Sequence, residues 1–147
     1  MEDKEFCSEC LLSTRKGQVI GSNQEILDKL YEEHQSDDFA QTVRLCRMIC
    51  ADLDSLVLDY QGRRIGGVSH LYGLWSLALM LRTHGRAVVD HKAPLDDFFT
   101  RLRESDHDEI RDDYRKSMTS RTKERFMRVK RVNALLAACG ESALAVD

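Results

Sequence analysis

Five cysteines and five histidines are the residues in this chain whose chemistry reaches beyond packing. Cys7-Ser8-Glu9-Cys10 is a C-x-x-C pair, and Cys46 with Cys50 is a second pair one residue wider. Four thiolates can hold zinc tetrahedrally, and a C-x-x-C can also work as a thiol redox pair. A zinc knuckle places its pair in a turn, whereas both pairs here lie among apolar residues at helical spacing. Spacings of three and four put both thiols of a pair on one helix face, and free cysteine is among the residues most often buried. Core packing is the expectation for the thiols, with no metal and no cofactor.

The histidines are His34, His70, His84, His91 and His107, and they form no H-E-x-x-H or H-x-H pair. Asp90-His91 and Asp106-His107-Asp108 set carboxylates beside imidazoles, a pairing suited to acid–base or hydrolytic metal chemistry. Neighbouring helical residues point in different directions, so solvated or capping roles are expected instead. His70 and His84 fall near opposite ends of one expected helix, roughly 21 Å apart at 1.5 Å per residue, and cannot share a metal within it. There is no nucleophile elbow, P-loop or G-x-G-x-x-G. No catalytic set emerges, and the chain by itself is not expected to be an enzyme.

Charge is the most uneven feature. The whole chain carries −3, with 22 basic and 25 acidic residues, which excludes a uniformly basic nucleic-acid binder. Residues 111–131 nonetheless hold nine basic residues against Asp112, Asp113 and Glu124, a local +6 that leaves −9 for the remainder. On a helix, Arg121, Arg125 and Arg128 lie within about 60° of one another, a ridge able to track phosphates. Lys116, Arg63 and Arg64 would extend it. The same ridge suits an acidic protein partner, or acidic groups elsewhere on this domain.

Those residues need elements to hold them. The 147 residues are 42% hydrophobic and 32% charged, the size and balance of one globular domain. Eight glycines and a single proline favour long helices over a turn-rich β fold. The acidic opening MEDKEFCSEC lacks a signal-peptide core, and the longest apolar stretch, Leu71 to Leu81, is too short for a membrane. A cytoplasmic protein with reduced thiols and no membrane partner is expected.

Periodicity predicts a first helix from Asp3 to about Arg15. Ser22-Asn23-Gln24-Glu25 has capping-box form and opens a second helix, ending near His34. A third starts at Asp37 or Asp38 and runs to about Leu58, with Phe39, Val43, Cys46, Cys50, Leu53 and Val57 as its inward stripe. Residues 59–67 form a glycine-rich loop. The next helix, His70 to about His84, is apolar on nearly every side and so central, with Gly85 as its left-handed cap. Pro94 fits the first turn of a helix burying Leu95, Phe98, Phe99 and Leu102. Ser105 to Asp108 cap a helix carrying Ile110, Tyr114 and Met118. The last helix starts at Thr119 or Ser120, turns Phe126, Val129, Val132, Asn133 and Leu136 inward, and closes before Gly140. Val57-Leu58 and Ala87-Val88-Val89 are the only β-like runs. The prediction is one all-α domain over residues 1–147, a bundle of six or seven helices.

The opening Glu2-Asp3-Lys4-Glu5-Phe6-Cys7-Ser8-Glu9-Cys10-Leu11-Leu12 resembles the start of a segment found in the GmrSD-type restriction family. Leu27-Asp28-Lys29-Leu30-Tyr31 and the closing run from Ser120-Arg121 through Arg128 and Arg131 to Leu135-Leu136 follow in the same order. Over most of its length the chain is similar to the helical C-terminal part of that family, whose N-terminal lobe has a ParB-like nuclease fold. The family's Asp-Gly-Gln-Gln-Arg-like catalytic motif is absent, and Gln61-Gly62-Arg63-Arg64 lies in a different context. The His-Asn-His nuclease domain often fused downstream is absent too, so no catalytic residue carries over. The resemblance implies an accessory, non-catalytic helical lobe of a phage-defence protein, clamping nucleic acid or docking a nuclease lobe. A stand-alone protein-interaction bundle is the alternative.

Overall fold

The computed structural model describes residues 2–104 and 107–147, with Glu2 and Asp3 described in backbone only. Apolar residues at helical spacing produce seven α-helices: α1 (Glu2–Lys16), α2 (Gln24–His34), α3 (Ala40–Ser55), α4 (Val68–Thr83), α5 (Lys92–Leu102), α6 (Glu109–Ser117) and α7 (Arg125–Ala138). There is no strand among the described residues, and the all-α bundle expected from the sequence is the fold observed. Ala87-Val88-Val89 enters a 3-10 turn, Val88–His91, rather than a strand. No described helix is long and apolar enough to cross a membrane.

The middle of the bundle is α4. Tyr72, Leu74, Leu77 and Leu81 are fully enclosed, and Trp75, Ala78 and Leu79 nearly so. Each such large apolar side chain contributes about 1.5–3 kcal/mol by leaving water. Around it pack α1, α3 and α7, with α6 laid along α7 and α5 beneath. Gly85 takes φ +70° at the end of α4, and the Arg86 amide closes onto the Leu81 carbonyl at 2.8 Å, the Schellman cap expected there. Polar ties join α4 to α1. The Tyr72 hydroxyl donates to Ser13 Oγ at 2.9 Å, and the Trp75 indole donates to Thr14 Oγ1 at 3.0 Å.

Three expectations are corrected. Asn23, not Ser22, caps α2: its Oδ1 accepts the Ile26 amide at 2.9 Å, while the Ser22 amide is drawn to the Lys123 carbonyl. On α3 the inward face is Thr42, Ile49 and the following Leu56, flanked by Leu45, Cys46 and Leu53. That face is rotated by roughly 75° from the expected stripe, which leaves Val43 and Cys50 exposed. α3 also stops at Ser55, so Val57 lies beyond it at φ +48° and 76% exposed.

The third correction bears on function. α7 starts at Arg125, five or six residues later than expected, and Arg121 precedes it at φ +52°. Its inward face carries Arg128, Arg131, Val132, Leu135 and Leu136. Phe126, expected inside, is 50% exposed.

Candidate functional site

The basic segment was expected to form a phosphate-facing ridge, and the structure divides it. Arg128 is 2% exposed and Arg131 is fully enclosed. A buried guanidinium needs compensation for its lost water; Arg128 finds it in an ion pair, and Arg131 in hydrogen bonds to carbonyl and hydroxyl oxygens. Arg128 Nη2 donates to Glu9 Oε2 at 2.9 Å and Nη1 to the Ile20 carbonyl at 2.9 Å, and its guanidinium carbon stands 3.9 Å above the Tyr72 ring. Glu9 itself is wholly buried on α1. Arg128 therefore leaves the expected ridge.

Arg131 works as an internal strut. Its guanidinium donates to the carbonyls of Ser69, Ser117 and Thr122 and to Ser117 Oγ, joining the start of α4 to the end of α6. Burial lowers its pKa to about 10. The side chain crosses α4 at Gly73, where a Cβ would meet Arg131 Cδ at 3.0 Å, so a larger residue there would press on the strut. Arg115 does similar work at the end of α5, donating to the Leu102 carbonyl at 3.0 Å and satisfying a group the helix leaves open.

The remaining expected residues scatter. Arg125 is exposed, yet donates through Nε to the Val19 carbonyl at 3.1 Å and through Nη2 to the Asp147 carbonyl at 2.8 Å. Arg63 is held by Asp96, through its carboxylate at 3.1 Å and its carbonyl at 2.6 Å. Arg64 is exposed in the 59–67 loop at φ +57°. Lys116 is exposed at the end of α6, and Arg121 is exposed with its nearest carboxylate, Glu124, at 3.8 Å. These positions do not form one ridge.

What the outer face of α7 offers instead is an aromatic side chain between two clefts. On one side Phe126 borders a cleft of about 650 Å³ shared with Ile26, Leu30, Lys16, Lys123 and Arg125. On the other it borders one of about 390 Å³ with Ile110, Val129, Ala134 and Lys130. Glu124, the N-cap of α7, makes no side-chain cap; its carbonyl accepts the Met127 and Arg128 amides at 3.1 Å. Gly21 packs against that end, and a Cβ there would lie 3.2 Å from the Arg125 amide nitrogen. Chemically, the face combines an apolar anchor with flanking cations, among which Lys123 is paired with Glu5 at 3.2 Å and Glu124 and Asp113 line the same clefts.

Each histidine meets different company. His34 Nδ1 lies 2.6 Å from Asp37, His107 Nδ1 lies 3.0 Å from Asp112, and His91 Nε2 lies 3.6 Å from Glu141 rather than pairing with Asp90. His84 Nδ1 approaches the Met80 carbonyl at 2.9 Å. Asp108 caps α6 by accepting the Arg111 amide at 2.8 Å, while Ser105 and Asp106 lie outside the described residues. His70 is buried, with Nδ1 2.7 Å from the Tyr114 hydroxyl, and desolvation beside Arg103 and Arg131 holds its pKa down to about 4.

The cysteines divide as well. Cys10 is buried as expected, Cys46 is half-buried, and Cys7 and Cys50 are exposed; Cys139, outside the two pairs, is buried. Core packing is thus corrected for Cys7 and Cys50, because the rotation of α3 carries Cys50 out to the margin. No group of three or more His, Cys, Asp or Glu among the described residues is placed to hold a metal ion.

Reading the sequence missed the Glu9–Arg128 pair. A signal was present: Glu9 is an acid inside the apolar run Phe6 to Leu12, where a buried cation partner is the usual compensation. In comparisons with known proteins, the chain matches no family model, no curated protein and no solved structure. Fold and site together define a helical module with one aromatic, cation-flanked face.

Proposed function

We propose that this chain is a non-catalytic docking module, and that the Phe126 face of α7 seats an acidic segment of another protein. The observation that carries the reading is the half-exposed Phe126 between two clefts, with Arg128, one of the three arginines of the expected phosphate ridge, drawn inside. An aromatic anchor in a desolvating cleft, rimmed by charge, is the usual composition of an interface hot spot. Lys16, Lys123, Arg125 and Lys130 supply the rim. The resemblance to the restriction family makes the ParB-like nuclease lobe the partner of choice, encoded in the same or the neighbouring reading frame.

Calorimetric titration of the chain with that lobe tests the proposal. A 1:1 complex is expected, weakened at least tenfold by Phe126→Asp, since a hot-spot aromatic costs about 2 kcal/mol or more when removed. A complex indifferent to Phe126→Asp would refute the docking face. Micromolar binding of duplex or single-stranded nucleic acid at low salt, lost in an Arg121→Glu, Arg125→Glu, Lys116→Glu variant, would restore the nucleic-acid reading. A gene neighbourhood without such a lobe would remove the restriction-family part of the proposal.

A further inference from the structure

The two cysteine pairs that the sequence separates by 36 residues line a single groove. It runs between α1 and α3, has a volume of about 500 Å³, and is walled by Cys7 and Cys10 on one side and Cys46 and Cys50 on the other. Spacings of three and four residues turn each pair to one face of its helix, and both faces border the groove.

We propose that this groove is a thiolate site for a soft monovalent d10 metal ion of the Cu(I) class, bridged between Cys10 and Cys46 with Cys7 and Cys50 at its rim. The donor set selects the ion. Phe6, Leu11 and Val43 contribute hydrocarbon only, and the Trp75 indole is committed to Thr14. Sulfur is therefore the metal-ligating element the groove offers, and all-sulfur sites favour soft ions over the oxygen-seeking ones. Zinc asks for four ligands in a tetrahedron, whereas no three described groups converge on one point as the side chains stand. A two-coordinate ion needs two sulfurs, one from each helix.

Charge and protons balance without a redox step. Two thiols release two protons and bind Cu(I) as a bis-thiolate of net charge −1, and Arg47 on the groove wall supplies the compensating cation. The ion displaces the thiol protons, so binding weakens as pH falls. The groove shares no lining residue with the clefts beside Phe126, and the inference stands apart from the docking proposal.

The test is an anaerobic titration of the reduced full chain with Cu(I) buffered by bathocuproine disulfonate. One ion per chain is expected to leave the chelator, with two protons released and a sulfur-to-copper charge-transfer band in the ultraviolet. Cys46→Ser, at a half-buried position whose folding is checked by circular dichroism, should lose the band, and Cys139→Ala, away from the groove, should keep it. Failure to draw Cu(I) from the chelator, or full binding by Cys46→Ser and by Cys10→Ala, would overturn the proposal. So would a preference for zinc with a tetrahedral Co(II) spectrum, or a Cys10–Cys46 disulfide that consumes both thiols before metal is added.

Discussion

Removing the Arg128 guanidinium probes the bundle where its interior carries charge. Glu9 is completely enclosed and Arg128 is 2% exposed, with 2.9 Å between Nη2 and Oε2. Arg128→Met keeps the length of the side chain but leaves the Glu9 carboxylate without its cation, which costs about 3–5 kcal/mol for a buried pair broken on one side. Contact with the Tyr72 ring is lost in the same step and is part of that figure, since groups in one network do not add. Glu9→Leu should cost a similar amount. The double variant removes both charges, and its stability should return to near the parental value or exceed it. Guanidinium denaturation followed by circular dichroism measures all four members of the cycle, with slopes that should stay constant if each unfolds in two states. A loss of less than about 0.5 kcal/mol for Arg128→Met, the range of a surface change, would show that Arg128 is solvated and that the reasoning fails.

Other expectations follow from particular contacts. His70 should make stability depend on pH: its folded pKa of about 4 lies below the ordinary 6.5, so the unfolded chain takes up its proton first. That contribution is complete above pH 6.5 and is lost as pH falls toward 4, by up to about 3 kcal/mol; His70→Gln should flatten the slope in that window, and an unchanged slope would deny the burial. Gly73→Ala should cost about 1–3 kcal/mol, because the new methyl meets Arg131 Cδ at 3.0 Å; a thermal melt equal to the parent's would mean that Arg131 does not cross there. Phe126→Asp should leave stability within about 0.5 kcal/mol, whereas the same change at Phe99, 1% exposed, should unfold much of the protein.

The helices were legible because apolar periodicity is a local signal. α4, apolar on every side, could only be central, and Gly85 could only end it with a left-handed cap. Phase was less legible than existence. On α3 the alternation Phe39, Val43, Cys46, Cys50 fits a helical stripe, but the true face lies beside it, since Thr42 is buried against expectation for a polar residue. On α7 the error has one source: arginine was assigned to the surface by type. Arg128 and Arg131 are inside because Glu9, Tyr72 and helix-end carbonyls more than a hundred or several tens of residues away supply their partners. Those partners are tertiary, and single-sequence periodicity carries no trace of them. The joining of Cys7 and Cys10 to Cys46 and Cys50 in one groove is of the same kind, a consequence of how α1 meets α3.

The most direct test of the docking account is hydrogen exchange of the chain alone and in the presence of the ParB-like lobe. The amides of Arg125 and Phe126 precede the first bonds of α7, which run from Met127 and Arg128 to the Glu124 carbonyl, and should exchange quickly in the free chain. Docking on the Phe126 face should slow exchange across residues 123–130 and along α2 near Ile26 and Leu30, while α5 and the 59–67 loop stay unchanged. Protection confined to another surface, or the appearance of the same pattern with nucleic acid and not with the lobe, would contradict it.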